Sequence, residues 1–339
     1  MNRLVLIDGN AVLHRAYHAI PPLTAPDGSI VNAVYGFAAM LFKIFQNLQP
    51  THMAVAFDRP KPTFRKKLFD GYQSKRPEMD KDLAGQIDRV HELVHAFGIP
   101  IFEKDGFEAD DVLATVSREA LNPKSKILNK SKIQNPNEKK IDQVIIVTGD
   151  RDILQLVVDE KVLVYMPTKG LSEAKLYGEK EVVERMGVEP RLVPDLKALA
   201  GDPSDNYPGV AGVGPKTAVS LLKQFGSLKG VYRNVKDVTG KKKTRVPETI
   251  GSKLKAGEES ALLGKQLATI RTDVPLNGAL TQTASFDSPA ARAFLAGLHF
   301  HSLIKRLNGG AAVETSKKED KAKKASEPKE KSGQQQELF

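Results

Sequence analysis

Apolar residues along this chain follow two rhythms. Three short runs are continuous: LVLID (4–8), AVAFD (54–58) and VIIVTGD (144–150). Each is rich in Val, Ile, Leu or Ala, is about as long as a strand, and breaks off at an Asp followed by Gly or Arg. Such runs predict strands. Between them the apolar positions recur with helical spacing, as in VNAVYGFAAMLFKIFQNL (31–48) and QIDRVHELVHAFG (86–98). A further strand, IPIFE (99–103), leads through GFEADD (106–111) into a helix that continues VLATVSREAL. Strands alternating with helices predict an α/β fold with a largely parallel sheet covered on both faces. In such sheets ligands bind beyond the carboxyl ends of the strands. Asp8, Asp58 and Asp150 are therefore expected at one edge.

From about residue 190 the pattern is helical, punctuated by GDPSDNYPGVAGVGPKT (201–217), which sets Asp202 and Asp205 in a Gly- and Pro-rich loop. The stretch NPKSKILNKSKIQNPNEKKID (122–142) reads as a polar surface insertion, and TGKKKTR (239–245) as a Lys-rich connection. The last thirty-one residues, 309–339, have a composition that cannot support a core and read as a disordered tail. No internal repeat is evident.

Composition narrows the class. The chain has 339 residues, 27% of them charged, a net charge of +10, and no cysteine. Disulfides and Cys-based zinc sites are excluded. The N-terminal apolar run is too short for a signal peptide, and no stretch approaches the length of a membrane span. A soluble cytoplasmic protein with an acidic partner such as nucleic acid is expected, with no membrane attachment.

Against that positive balance, GFEADD crowds Glu108, Asp110 and Asp111 into four positions. Two unit charges about 4 Å apart repel by roughly 4 kcal/mol at an effective dielectric of 20. A helix N-terminus stabilises one or two acids. It does not account for Asp8, Asp58, Glu108, Asp110, Asp111, Asp150, Asp152, Asp202 and Asp205 together. Hard oxygen donors without Cys select Mg²⁺ or Mn²⁺. Two such ions about 3.5–4 Å apart activate water and stabilise the leaving oxygen of a phosphodiester, with Asp8, Asp58, Asp110 and Asp150 as the expected catalytic acids.

Two segments suit a phosphate backbone. RPKPTFRKKLFDGYQSKRPEMD (59–80) carries Arg65, Lys66, Lys75 and Arg76 with Tyr72 among them, close to the Asp58 strand end. Aromatic faces stack on bases while cations neutralise phosphates. In GVAGVGPKT (209–217), Gly212 and Gly214 allow close backbone approach, and Lys216 and Thr217 open the next helix. This nearly spells a Walker A loop, but Pro215 separates Gly214 from Lys216 and no strand precedes it. HELVH (91–95) matches a zinc-protease pattern, yet Val90, Leu93, Val94 and Phe97 around it describe an ordinary amphipathic helix. His14 and His18 likewise read as helix-face residues.

LVLIDGNAVLHRAYHA, GFEADD, VTGDRDILQL and GDPSDNYPGVAGVGPKTA together resemble the 5′-nuclease domain of bacterial DNA polymerase I and the flap endonuclease family, over roughly residues 1–305 and in the family's motif order. The resemblance implies a PIN-like core over 1–189, with an arch or gateway at 59–98. It implies a helix–hairpin–helix subdomain over 190–308, which grips duplex backbone and often uses K⁺, before the tail. The implied activity is that of a 5′→3′ exonuclease and flap endonuclease. It would use two Mg²⁺ or Mn²⁺ ions on 5′ flaps, nicked or gapped DNA and RNA primers, in replication and repair. The enzyme is expected to be monomeric, nucleoid-associated and free-standing. Tyr72 is implied to stack near the scissile nucleotide, with Arg76 on the phosphate. The family usually has Lys directly after that Tyr; here Gln73 stands there, and Lys75 or Lys66 is expected to substitute in part. QQELF (335–339) resembles a sliding-clamp binding pattern through Gln335, Leu338 and Phe339. Two other readings stay open. One is a structure-specific DNA-binding protein with impaired catalysis, raised by Gln73. The other is a PIN-type ribonuclease, against which the hairpin element counts.

Overall fold

The computed structural model describes residues 1–122, 140–169, 173–236, 246–280 and 286–307. No helix among them is long and apolar enough to cross a membrane. Six strands, β1 (Arg3–Asp8), β2 (His52–Ala56), β3 (Ile101–Phe102), β4 (Gln143–Val147), β5 (Val162–Lys169) and β6 (Glu173–Tyr177), form one sheet in the order β3-β2-β1-β4-β5-β6. All neighbours are parallel except β5 and β6. After β1 the chain builds outward through β2 and β3, then crosses to β4 on the other side. The crevice beyond β1 and β4 is thus the point where strand order reverses and where ligands gather in such sheets.

Alternation along the strands divides the core. Val5, Ile7, Met53, Val55, Ile145 and Val147 face one layer of helices: α1 (Gly9–Ala19), α2 (Asn32–Leu48) and, beyond the short α3 (Phe64–Leu68) and α4 (Lys81–Ala84), α5 (Ile87–Ala96). Leu4, Leu6, Ala54, Ala56, Val144 and Ile146 face the other layer, which begins with α6 (Ala109–Leu121) and α7 (Glu179–Met186). Burial on both faces explains why the strand sequences are continuously apolar.

That second layer continues without a break into the helical part: α8 (Val193–Ala200), α9 (Pro215–Phe225), α10 (Leu228–Lys236), α11 (Glu248–Ala256) and α12 (Glu258–Ala268). The last two helices, α13 (Pro289–Gly297) and α14 (His301–Leu307), return to the first layer. There Ala291, Leu295, Phe300 and Leu303 join the core beside α2 and α5. Phe286 leads them in, with its ring centroid 4.3 Å from that of Phe45 and 4.9 Å from that of Phe97.

Of the region 59–98 expected as an arch, residues 87–96 are α5, whose Val90, Leu93 and Val94 lie in the core. Its stretch flanking the strand ends is 59–84. Most of the polar insertion (123–139), the Lys-rich connection and the tail lie outside the described residues.

Candidate metal centre and nucleic-acid interface

Strand register brings the acids together. Asp8, the last residue of β1, pairs with Ala56 of β2, two residues before Asp58, and Ile7 pairs with Val147 just before Thr148. Asp8 accepts hydrogen bonds from the Ala11 amide at 3.0 Å and from the buried Thr148 hydroxyl at 2.7 Å. The same hydroxyl accepts from the Asp150 amide at 3.0 Å, and Asp150 accepts from the Asp152 amide at 2.8 Å. Across the cleft Asn10 accepts from the Asp58 amide at 2.9 Å, while the Asp58 carboxylate takes the Ala109 amide at the start of α6 at 2.6 Å. Gly9 is required for this closeness. A Cβ there would fall within the ring of Phe57, which packs between the two Asp-bearing strand ends.

Asp8, Asp58, Glu108, Asp110, Asp150, Asp152 and Asp205 line one cleft of about 970 Å³. Beside it Asp152, Asp202 and Asp205 present carboxylate oxygens within 4.8 Å of one another. Burial pushes the Asp8 carboxyl up to about 6, and the Asp58 and Asp150 charges add to this. Burial also drives Glu108 to about 7, against the pull of Arg65, and Asp152 to about 7, against that of Lys197. Asp110 rises well above the usual carboxylate range through burial and then the charges of Asp150 and Asp8.

Such crowding suits cations. The donors are carboxylate oxygens, and the Tyr207 hydroxyl, under the influence of Asp152, Asp202 and Asp205, is buried without a hydrogen-bond partner. The residues therefore fit hard divalent ions of the Mg²⁺ or Mn²⁺ type, which take oxygen donors and retain waters.

Two of the expected site residues are engaged with each other inside the protein. Asp111 is fully buried and held by Arg65, whose guanidinium donates to its two oxygens at 2.7 and 2.8 Å. Asp111 also caps α6 by accepting from the Glu108 amide at 3.2 Å, and it is not among the residues that line the cleft. Arg65, expected at DNA, is 2% exposed and serves as that partner instead.

The rest of the 59–80 stretch is mixed. Tyr72 is buried, stacks on Tyr207 with centroids 6.4 Å apart, and donates toward Glu108 at 3.1 Å and Asp205 at 3.2 Å, so it does not present a free face for a base. Arg76 pairs with Asp205 at 2.7 Å, and Gln73 donates to the same carboxylate at 3.2 Å. Lys66 lines the cleft and donates to the Tyr72 carbonyl at 3.3 Å, whereas Lys75 is exposed and is not part of the lining.

The acidic loop is fixed by backbone contact. Asp202 and Tyr207 exchange amide hydrogen bonds of 3.0 and 3.1 Å, and Gly201 and Gly209 pack backbone against backbone with no room for a Cβ on either. Gly212 adopts φ +75°, Gly214 caps α9, and exposed Lys216 with half-buried Thr217 occupies its first turn. The hairpin between α8 and α9 therefore offers unpaired helix amides and a cation at the surface.

His91 rests on the Phe57 ring at 4.3 Å between centroids, and among the described residues the HELVH pair gathers no third ligand. His14 and His18 stand at the cleft mouth. Gln335, Leu338 and Phe339 lie outside the described residues. Sequence reasoning missed Thr148, Asn10 and above all Lys197, which ion-pairs with both Asp152 and Asp202. Its one signal is a lysine among the apolar residues of VPDLKALA.

A sequence model of the N-terminal resolvase-like domain of 5′-3′ exonucleases matches residues 3–187, and one of the C-terminal SAM fold of 5′-3′ exonucleases matches residues 188–290. The chain belongs to the 5′-3′ exonuclease family. Similar members include DNA polymerase I of Bacillus subtilis, 36% identical over 312 residues, covering 91% of this chain and 33% of that protein. DNA polymerase I of Mycobacterium leprae is 40% identical over 275 residues, covering 80% of this chain and 27% of that protein. The exonuclease chain thus spans about a third of the length of these relatives. Among solved structures, a bacteriophage T5 flap endonuclease in complex with DNA and metal ions shares the fold at TM-score 0.59 and 18% identity, covering 91% of this chain and 97% of that one. The catalytic core of Rad2 with a DNA substrate does so at 0.56 and 17%, covering 90% and 91%.

Proposed function

We propose that this 5′-3′ exonuclease family member hydrolyses DNA phosphodiester bonds at 5′ ends and 5′-flap junctions, using two divalent ions. The observation that carries the reading is the convergence of acids from β1, β2, α6, β4 and the 201–207 loop on one cleft. Asp8, Asp58, Glu108, Asp110 and Asp150 would hold one Mg²⁺ or Mn²⁺, and Asp152, Asp202 and Asp205 the other. Ions bound there supply an activated water and neutralise the leaving oxygen. Thr148 and Asn10 fix the strand-end acids, Arg76 and Lys66 meet the phosphate at the cleft, and the α8–α9 hairpin holds duplex backbone through Gly212, Gly214, Lys216 and Thr217. The DNA complexes of the T5 flap endonuclease and of Rad2 support DNA as the partner. The polymerase relatives support a place in replication, including primer removal. Potassium at the hairpin and a sliding clamp at Gln335, Leu338 and Phe339 complete the reading; co-elution with the clamp should vanish when Leu338 and Phe339 are deleted.

A labelled 5′-flap duplex with Mg²⁺, set against the same duplex with EDTA, tests it. Metal-dependent cutting near the junction is the expected result, and Asp150→Ala should abolish cutting while binding persists. Binding without cutting would favour a DNA-binding protein with impaired catalysis, the reading that Gln73 raises. That Lys66 lines the cleft and Lys75 does not supports Lys66 as the substitute cation. If Gln73→Lys leaves turnover unchanged, that substitution by Lys66 is supported; a severalfold rise with equal DNA binding indicates a deficit.

A further inference from the structure

Every carboxylate of the Asp152, Asp202 and Asp205 group already has a cationic partner within the protein. Lys197 joins Asp152 and Asp202, and Arg76 takes Asp205. Asp205 differs in that all its side-chain partners come from one other segment, residues 72–76. One oxygen accepts from Arg76 at 2.7 Å and from Gln73 at 3.2 Å, and the other from the Tyr72 hydroxyl at 3.2 Å. Its backbone carbonyl takes the Gln73 amide at 2.8 Å, and the next residue, Asn206, donates to the Gly71 carbonyl at 2.8 Å. Both Gln73 (φ +52°) and Asn206 (φ +54°) sit in the left-handed region, which such residues leave readily once the contacts that hold them are lost.

We propose that Asp205 is shared between the second metal position and the 69–76 segment, so that loading of a divalent ion unlatches that segment from the cleft. The proposal rests on the two-ion reading above. Asp152, Asp202 and Asp205 each present an oxygen within 4.8 Å of the others, close enough to share one ion. To join such an ion, Asp205 must release Gln73 and Arg76 from one oxygen or Tyr72 from the other, and the incoming charge repels the Arg76 guanidinium. By linkage, a latch that opposes the ion is opposed by it to the same degree. The metal-free form thus keeps the segment closed across the site, and the loaded form frees Arg76 to meet a phosphate.

Amide hydrogen exchange of the whole protein without DNA, run alongside Mg²⁺ titration calorimetry, tests this. Saturating Mg²⁺ should speed exchange at residues 71–76 by about tenfold, equivalent to about 1.4 kcal/mol. The double variant Gln73→Ala with Arg76→Gln should tighten Mg²⁺ binding severalfold, and Asp205→Asn should remove the Mg²⁺ effect on exchange. Mg²⁺ binding that leaves exchange unchanged or slower, or equal affinity in the double variant, overturns the latch while leaving the two-ion reading intact. Absence of Mg²⁺ binding overturns both.

Discussion

Arg65 donates to both oxygens of Asp111, to the Leu267 carbonyl at 2.8 Å and to the Thr269 carbonyl at 3.2 Å, so one buried guanidinium ties α3 to α6 and to the end of α12. Removing one partner of such a pair strands the other charge, at a cost of about 3–5 kcal/mol. Arg65→Met should lower unfolding free energy by that order in urea, and adding Asp111→Leu should recover much of it. The titrating acids carry a second prediction. Asp8 near 6 and Asp152 and Glu108 near 7 bind protons more tightly in the fold than the ordinary carboxylate near 4 does in the unfolded chain. Their contribution is therefore complete below about pH 4 and is lost as pH rises through 6 to 7. Thermal unfolding in EDTA should show stability falling over that window, with Mg²⁺ restoring it most at the alkaline end. The strand-end acids were legible in sequence because a strand fixes where its last residue points. In EADD nothing distinguishes Asp110, facing the cleft, from Asp111, turned inward; only the partner Arg65, 46 residues away, decides it.

At the level of elements, the 201–209 turn depends on two glycines whose backbones touch. A methyl at Gly209 would collide with the Leu199 carbonyl and the Gly201 amide. Gly209→Ala should cost about 3 kcal/mol by overpacking, seen in denaturant unfolding. It should also weaken the ion position proposed at Asp202 and Asp205 more than that proposed at Asp8. Lys216, exposed in the first turn of α9, should act on DNA affinity alone. Lys216→Ala should reduce the slope of log affinity against log salt by about one, with turnover of bound substrate unchanged. Four strands and the hairpin could be read from sequence because apolar runs and glycine spacing are local signals. The antiparallel edge pair β5 and β6 escaped, although VLVYM is an apolar run of strand length; Glu173–Tyr177 is only five residues long and mostly exposed, which leaves a weak signal.

Over the whole molecule, order along the chain and order in space part company. The sequence suggested a core followed by one helical unit. The structure runs α8–α12 into the same apolar layer as α6, then sends α13 and α14 back to the opposite face. No local pattern announces that return, because an amphipathic helix specifies that it will be covered and not by what. The basic surplus is a property of this same scale: a net charge of +10 favours association with polyanions, whatever their sequence.

The homeward path of the last helices bears on how the chain is made and cut. The stretch matched to the family stops at residue 290, the second residue of α13, yet Leu295, Phe300 and Leu303 are fully or nearly fully sequestered. A polypeptide trimmed at 290 would keep Phe286 on Phe45 and Phe97 but lose Leu295, Phe300 and Leu303, uncovering the apolar face beside α2 and α5. Light scattering should reveal it clumping at concentrations where the intact chain stays clear. During synthesis, likewise, the sheet cannot finish closing on that side until the ribosome has released residues near 307.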